Sequence, residues 1–228
     1  MDISWILDDL NEPQRAAVTA PPGPLRVLAG AGSGKTRVLA RRIAWLLAVE
    51  HASPWSILAV TFTNKAAAEM RGRVDEQMDQ TVGGLWIGTF HGIAHRLLRQ
   101  HWQEARLPRA FQILDSDDQT RLMKRVLRDL NLDEKKWPPS QAAGFVNRCK
   151  DEGQRPADLA GDDPVQRQYQ RIYTVYQQEC ERGGLVDFGE LLLRAYELWR
   201  DNPELLAHYR ERFQHVLVDE FQDTNTIQ

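Results

Sequence analysis

Apolar residues follow two different rhythms along this chain. In the first ninety residues, short apolar runs alternate with longer stretches in which apolar residues recur every three or four positions. The runs predict strands and the longer stretches predict amphipathic helices. The predicted strands are residues 25–29, 57–61 and 85–87, with one helix ending near Val49 and another beginning near Lys65. This alternation predicts a parallel sheet covered by helices, an α/β fold.

From about residue 91 to residue 213 the pattern is helical, and a strand pattern returns only at residues 216–218. Ser116 with Gln119, and Asp187 with Glu190, have the spacing of capping boxes. One apolar stripe is expected to be core rather than a surface for stacking bases: Val165, Tyr169, Ile172, Tyr173, Tyr176 and Cys180. The long stretch predicts an inserted all-helical subdomain.

Composition narrows the class of protein. With 228 residues, 42% of them apolar, the chain can bury a substantial core in one large domain or two modest ones. No run approaches the roughly 18 apolar residues that cross a bilayer, and the N-terminus lacks the pattern of a signal peptide, so we expect a cytoplasmic protein. Cys149 and Cys180 lack C-x-x-C spacing and are expected to be reduced. The net charge of −3 neither supports nor excludes a local basic groove for nucleic acid.

A glycine-rich segment follows the first predicted strand and leads into a helix: Ala29, Gly30, Ala31, Gly32, Ser33, Gly34, Lys35 and Thr36. In such a turn the backbone N–H groups face phosphate oxygens, and the helix N-terminus adds partial positive charge. Lys35 is expected to reach the β and γ phosphates of ATP, and the Thr36 hydroxyl to bind Mg²⁺. Ala29 stands where this loop usually has glycine. An ordinary strand-to-helix turn would not explain Lys35 and Thr36 at this register.

Two acids, Asp219 and Glu220, directly follow the apolar run at residues 216–218. We expect Asp219 to hold Mg²⁺, directly or through water. Glu220 is expected to orient and deprotonate the water that attacks the γ-phosphate. Adjacent acids often belong to a solvated loop, but their place after a strand, in a chain with a phosphate loop, favours catalysis.

Polar and aromatic residues also follow the second and third predicted strands, at the sheet edge where ligands usually bind. They are Phe62, Thr63 and Asn64 in one group and Thr89, Phe90 and His91 in the other. Together they could follow a nucleic-acid strand. The alternative for the first group is that Thr63 or Asn64 caps the next helix while Phe62 packs in the core.

The N-terminal segment around Asn11 and Gln14 has two interpretations. Asn11 as N-cap with Gln14 three residues later is a capping arrangement. The Gln14 amide could instead pair with the edge of adenine, and the residue types alone do not separate the two roles.

Taken in order, these segments resemble the N-terminal part of UvrD-type DNA helicases, in the UvrD, Rep and PcrA group of superfamily 1. The segments span nearly the whole chain: residues 11–14, 29–36, 61–70, 88–92, 185–188 and 219–223. The combination of Ala29 with T-F-T-N-K-A-A-A-E-M and D-E-F-Q-D is specific to this group, whereas each motif alone is weaker.

The resemblance implies roles for particular residues. Gln14 would recognise adenine, Arg37 would pack against the base, and Gln222 would contact the γ-phosphate and couple hydrolysis to DNA. The groups at residues 62–64 and 89–91 would contact single-stranded DNA through phosphate bonds and base stacking, without reading sequence. Asp187 and Phe188 would serve in capping and packing of the helical insertion.

The resemblance also implies an architecture. Residues 1–90 would form the first part of a RecA-like ATP-binding P-loop NTPase domain, 1A. Residues 91–213 would form its helical insertion, 1B, and residues 214–228 would return to 1A. Because the chain stops just after its second ATP motif, we expect a truncated chain without the second lobe and its arginine fingers. Such a fragment should bind ATP weakly, hydrolyse it very slowly if at all, and not unwind DNA.

The function implied is that of an ATP-dependent 3′ to 5′ DNA helicase of repair, using ATP and Mg²⁺. Its expected partners are single-stranded DNA, duplex junctions and DNA-repair proteins, and its expected place is the cytoplasm, at the nucleoid. Two alternatives remain at this point. One is a helicase–nuclease subunit with a nuclease domain beyond Gln228, and the other is a non-catalytic binding module.

Overall fold

The computed structural model describes residues 3–30, 32–161 and 163–228. The helices of this part are α1 (Ser4–Leu7), α2 (Glu12–Val18), α3 (Lys35–Ala48), α4 (Asn64–Gln77), α5 (Phe90–Gln100), α6 (Ser116–Asp129), α7 (Pro139–Asp151), α8 (Pro164–Gly183), α9 (Phe188–Asp201) and α10 (Pro203–Arg212). The strands are β1 (Ile57–Thr61), β2 (Trp86–Thr89), β3 (Gln112–Ile113), β4 (Leu185–Val186) and β5 (His215–Val218). Short 3₁₀ turns lie at Pro54–Ser56, Pro156–Asp158 and Phe221–Asp223.

The three longer strands form a parallel sheet in the order β2-β1-β5. The register pairs Thr61 of β1 with Thr89 of β2, and Val60 of β1 with Val218 of β5. All of β1 is buried, as expected for the centre of a parallel sheet. The sheet therefore brings the segments that follow β1, β2 and β5 to one edge, and it confirms the predicted α/β class.

The strand predicted at residues 25–29 does not form. Within the described residues, no strand pairs with this run, and Leu25, Val27 and Leu28 are 56%, 50% and 81% exposed. A strand is held by ladder bonds to a neighbouring strand, so an apolar run without a neighbour stays irregular. The helix that follows, α3, ends at Ala48 as predicted.

One hydrophobic core is built from residues of β1, α3 and α4. The two helices pack against each other and carry apolar residues at helical spacing. α4 begins at Thr63, whose hydroxyl accepts the backbone N–H of Ala66 at 3.1 Å. The buried residues of this cluster are Ala40, Ile43, Leu46, Ile57, Ala59, Met70, Val74, Val82 and Leu85. Because both helices begin just after site segments, this core fixes where those segments start.

Helices α6 to α8 form a second core, and α9 packs against α7. Its buried residues include most of the predicted stripe: Ile172, Tyr173, Tyr176 and Cys180. Tyr169 packs against this cluster while half-buried, but Val165 is 54% exposed, so the buried stripe does not extend to the first turn of α8.

Both cysteines are buried free thiols, and burial raises the pKa of Cys149 to about 11 and of Cys180 to about 12. Both thiols therefore stay protonated at neutral pH.

Three details of the helical region differ from the sequence predictions. β3 and β4 form a short parallel ladder that the helical pattern did not indicate. The cap of α6 is Asp115 rather than Ser116, because the Asp115 carboxylate accepts the backbone N–H of Asp118. Asp187 does cap α9, accepting the backbone N–H of Glu190 at 2.7 Å. Phe188 is 49% exposed, so it does not pack as a core residue.

A buried charge cluster ties α7 to α9. Lys150 donates to Asp187 at 2.8 Å and pairs with Glu190 at 3.0 Å. Arg155 and Arg194 also pair with Glu190. Every charge in this cluster has a partner, which is the condition under which charges are tolerated in a core.

The chain divides into two compact units. The first runs from the start of the chain to Ile93 and includes Glu204–Asp223, and the second comprises Ala94–Pro203 and Thr224–Gln228. The first holds the three-stranded sheet, and the second holds α6 to α9. The assignment of residues 1–90, 91–213 and 214–228 to named helicase domains stays a prediction. None of the described helices has the length and apolar character needed to cross a membrane.

Candidate active site

The turn before α3 has the backbone of an anion cradle. Gly32 and Gly34 have φ of +74° and +83°, a region that costs other residues strain, and Gly34 is the N-cap of α3. In the part of the chain that the structure describes, no side chain caps this helix start, so the N–H groups of its first turn are available to an anion. Ser33 braces the turn by donating its hydroxyl to the Gly30 carbonyl at 2.7 Å. Ala29 and Gly30 are exposed, and Ala31 lies outside the described residues.

The second motif meets this turn at the edge of the sheet. Asp219 directly follows β5, and its backbone N–H donates to the Val60 carbonyl at 2.9 Å. Glu220 has φ of +52°, a strained conformation for a residue with a side chain. Its Oε1 lies 3.0 Å from Lys35 Nζ. Two residues 185 positions apart in sequence are thus in direct contact.

The two acids have opposite environments. The Gln222 amide donates to Glu220, and this bond together with Lys35 lowers the pKa of Glu220. Burial raises the pKa of Asp219, and the neighbouring charge of Glu220 adds to the rise. Asp219 is only 6% exposed. The pair therefore combines an ionised, accessible carboxylate with a buried one whose charge is only partly compensated, by a backbone hydrogen bond from Glu220 and by Lys35.

Gln14 takes the capping role considered for it and also contacts the glycine turn, while its pairing with adenine stays a prediction. Its side chain completes the capping box with Asn11. Its amide also donates to the Ser33 carbonyl at 2.9 Å and accepts from Arg37 at 3.2 Å. Gln14 therefore ties the start of α2 to the glycine turn.

A cavity of about 490 Å³ lies beside the glycine turn. Its lining residues are Asn11, Gln14, Gly32, Ser33, Gly34, Arg37 and Arg73. The sequence did not predict that Arg73 lines this cavity, because Arg73 lies in the third turn of α4 with no motif around it. Only the packing of α4 beside α3 brings Arg73 to this cavity.

The groups after β1 and β2 share one edge through the pairing of Thr61 with Thr89. Phe62 and Phe90 contact each other, with ring centroids 5.4 Å apart. Thr89 is buried and accepts the backbone N–H of Gly92, so its hydroxyl holds the start of α5. Asn64 is exposed and His91 is half-buried.

The structure joins some predicted residues and leaves others apart. Lys35, Glu220 and Gln222 form one chain of contacts, and Gln14, Ser33 and Arg37 form another. Thr36 lies half-buried in the first turn of α3, and in the described part of the chain no contact joins it to Asp219.

Comparisons with known proteins agree with this geometry. The family model described as UvrD/REP helicase N-terminal domain matches residues 10–228. DNA helicase II of Escherichia coli (strain K12) is 62% identical over 229 residues, which cover 100% of this chain and 32% of that relative. ATP-dependent DNA helicase PcrA of Bacillus subtilis (strain 168) is 40% identical over 225 residues, 98% of this chain and 30% of the relative. The chain spans about a third of the length of these curated relatives. It belongs to the UvrD/REP helicase N-terminal domain family.

Proposed function

We propose that this chain is the ATP-binding and single-stranded-DNA-binding part of an ATP-dependent 3′ to 5′ DNA helicase that acts in repair. Unwinding by the whole protein, binding at duplex junctions, repair-protein partners and a place at the nucleoid belong to this proposal. The observation that carries it is the 3.0 Å contact between Lys35 Nζ and Glu220 Oε1. That contact joins the phosphate loop to the acid motif.

The glycine turn supports ATP as the ligand. The N-cap Gly34 has no side chain to cap the start of α3, and a concave space lined by Gln14 and Arg37 lies beside it. Phosphates would take the helix start and Lys35, while the base would take the side of Gln14 and Arg37. Arg73 would then face the base or the sugar.

The residues at the helix start also fit Mg²⁺. The hydroxyl of Thr36 and the carboxylate of Asp219 are the hard oxygen ligands that this ion prefers. The charge of the buried Asp219 carboxylate is only partly compensated, since burial and the neighbouring Glu220 raise the pKa of Asp219. When bound, the ion would supply charge neutralisation at the phosphates.

Glu220 is the group that we assign as general base. Its carboxylate is ionised at neutral pH, and Gln222 and Lys35 lower its pKa further below the ordinary value. Since Lys35 would also hold the γ-phosphate, its contact with Glu220 supports a general base at that end of the site. There Glu220 could accept a proton from the attacking water while Gln222 holds its second oxygen.

Phe62 and Phe90 form the aromatic part of the proposed DNA surface. Because Thr63 and Thr89 are committed to helix starts, we assign them mainly to the placement of these rings. Asn64 and His91 would supply polar contacts to the DNA backbone.

The test compares MgATP binding and ATP hydrolysis by this chain, with and without single-stranded DNA, in three variants. Lys35→Ala should abolish binding, whereas Glu220→Gln should keep it or tighten it a few-fold, because Lys35 loses a competing partner. Lys135→Ala, an exposed lysine of the helical unit, is the matched control and should bind as the unmutated chain does. Undiminished binding by Lys35→Ala would refute the assigned site. In the whole helicase, Glu220→Gln should stop turnover.

A further inference from the structure

The helical unit carries a second cavity, of about 360 Å³. Its lining residues are Ser140, Gln141, Gly144 and Arg148 of α7 and Tyr169 of α8. Gln141, Gly144 and Arg148 follow helical spacing, so they share one face of α7. Gln141 and Arg148 are exposed, which leaves the cavity open to solvent.

Glycine at position 144 keeps this cavity open. A Cβ on Gly144 would meet only Arg148 Nη1, at 3.9 Å. The same distance shows that the Arg148 guanidinium lies back over Gly144, toward the start of α7. Gly144 is helical, so a larger residue there would fill the cavity without backbone strain.

Hydrogen-bond donors converge on the cavity without protein partners. In the described part of the chain, the side chains of Ser140, Gln141, Arg148 and Tyr169 have no hydrogen bond or ion pair. By contrast, the exposed Arg121 pairs with an acid one turn away. α7 also starts without a side-chain cap, so the Ser140 and Gln141 N–H groups add to the donors. The described residues that line the cavity include no carboxylate, so this lining suits an anion.

The aromatic neighbours argue against a nucleobase as ligand. The Tyr169 ring stacks on Phe145, with centroids 4.6 Å apart, and meets Trp137 edge-on at 5.0 Å. Because both rings already pack on Tyr169, it offers its hydroxyl rather than a free face for stacking.

Charge distribution argues against a nucleic-acid backbone. Phosphate tracks are bound by several cations in a row, yet among the described residues Arg148 is the one cation that lines the cavity. The next turn of α7 carries Asp151 and Glu152, and the nearest cations before α7, Lys135 and Lys136, lie outside the lining.

The rim of the cavity has the composition of a protein contact. Val165 lies one turn before Tyr169 on the same face of α8 and is 54% exposed. Arginine and tyrosine, both in the lining, are enriched where proteins bind each other. Arginine binds a carboxylate with two parallel hydrogen bonds.

We propose that the cavity between α7 and α8 docks an aspartate or glutamate side chain from an acidic segment of another protein. Arg148 holds the carboxylate, Tyr169 and Gln141 fix its orientation, and Val165 contacts an apolar neighbour in the same segment.

The test selects displayed random heptapeptides on this chain and measures the affinity of the enriched peptides by fluorescence anisotropy. Enriched peptides should contain Asp or Glu, and changing that residue to Asn or Gln should weaken binding about tenfold. Arg148→Gln should have the same effect, as should Gly144→Leu, which fills the cavity. Arg171→Gln on α8 and Lys136→Gln before α7 remove the same charge outside the lining and should bind normally.

Circular dichroism checks that each variant is folded. If Gly144→Leu unfolds, Gly144→Ala and Arg148→Gln still decide the matter. The proposal is wrong if no acidic peptide is enriched, or if Arg171→Gln weakens binding as much as Arg148→Gln does. It is also wrong if a short DNA duplex binds this chain and loses affinity with Arg148→Gln while peptides do not, because the cavity is then a nucleic-acid site.

Discussion

Two charged clusters use the same residue types and differ in exposure. Lys35 and Glu220 are 3.0 Å apart, with side chains 29% and 36% exposed. Lys150 lies 2.8 Å from Asp187 and 3.0 Å from Glu190, with all three side chains 1% or 2% exposed. Water screens the first contact, so a ligand can replace it at low cost. The second set of contacts cannot break without leaving an unpaired charge in the core.

The number of partners around Glu220 and around Glu190 follows from this difference in exposure. Glu220 has Lys35 and Gln222, and both contacts are accessible to solvent. Burial alone would raise the pKa of Glu190, but Lys150 and two arginines together lower it well below its ordinary value. The charges of Lys35 and Glu220 are thus accessible to a ligand, whereas Lys150 and Glu190 are held by partners on several sides.

The largest expected effect is the loss of Lys150. Lys150→Met should destabilise the helical unit by about 3 to 5 kcal/mol, because Asp187 and Glu190 lose their shared cation in a dry environment. Urea unfolding followed by far-UV circular dichroism, with hydrogen exchange across α7 to α9, measures the change.

Lys35→Met is the matched change in the exposed cluster. It should leave the unfolding midpoint unchanged within error while removing nucleotide binding. Equal destabilisation by both substitutions would remove the distinction between the two clusters.

The second prediction concerns pH. The folded pKa of Glu190 is below its ordinary value of 4.5, so its stabilising contribution is complete above that pH and is lost as the pH falls further. The folded pKa of Lys150 is raised from 10.5: burial would lower it, but Asp187 and Glu190 overcome that. The contribution of Lys150 to stability is therefore complete below pH 10.5 and is lost as the pH rises through its folded pKa.

We expect a plateau of stability of the helical unit between these limits. Urea unfolding in a series of buffers measures it. Below the plateau, the free energy of unfolding should fall less steeply with decreasing pH in the Glu190→Gln variant than in the unmutated chain. The Glu220→Gln variant should keep the full slope. Parallel slopes for all three proteins would show that Glu190 does not contribute.

The smallest effect separates the two roles of Gln14. Asn11→Ala removes the cap acceptor and should cost about 1 kcal/mol of stability with little change in ATP affinity. Gln14→Ala also removes the contacts to Ser33 and Arg37, so it should weaken ATP binding and reduce the preference for ATP over GTP. Calorimetric titration of both nucleotides measures the difference. Equal loss of preference in both variants would mean that capping is the sole role of Gln14.

Local patterns predicted the family and much of the fold. The bounds of β1, the end of α3 and the cap of α4 follow from apolar spacing and capping chemistry, which act within a few residues. The motif resemblance is confirmed by the match to the family model over residues 10–228. These features depend on neighbours in sequence, and sequence contains them.

Other features depend on what each segment meets in space. Residues 25–29 have a strand pattern but no strand beside them, and β3 pairs with β4 across more than seventy residues. Arg73 reaches the cavity by the glycine turn only because α4 packs on α3.

The sequence by itself determined the phosphate loop, the acid motif and the helical or strand character of most segments, because propensity and spacing are local. The tertiary structure decided which of these segments meet, as in the contact of Lys35 with Glu220. It also decided which charges are buried, so that Lys150 became part of the core while Lys35 stayed accessible to a ligand. Burial and pairing arise from long-range packing, which no single stretch of sequence contains.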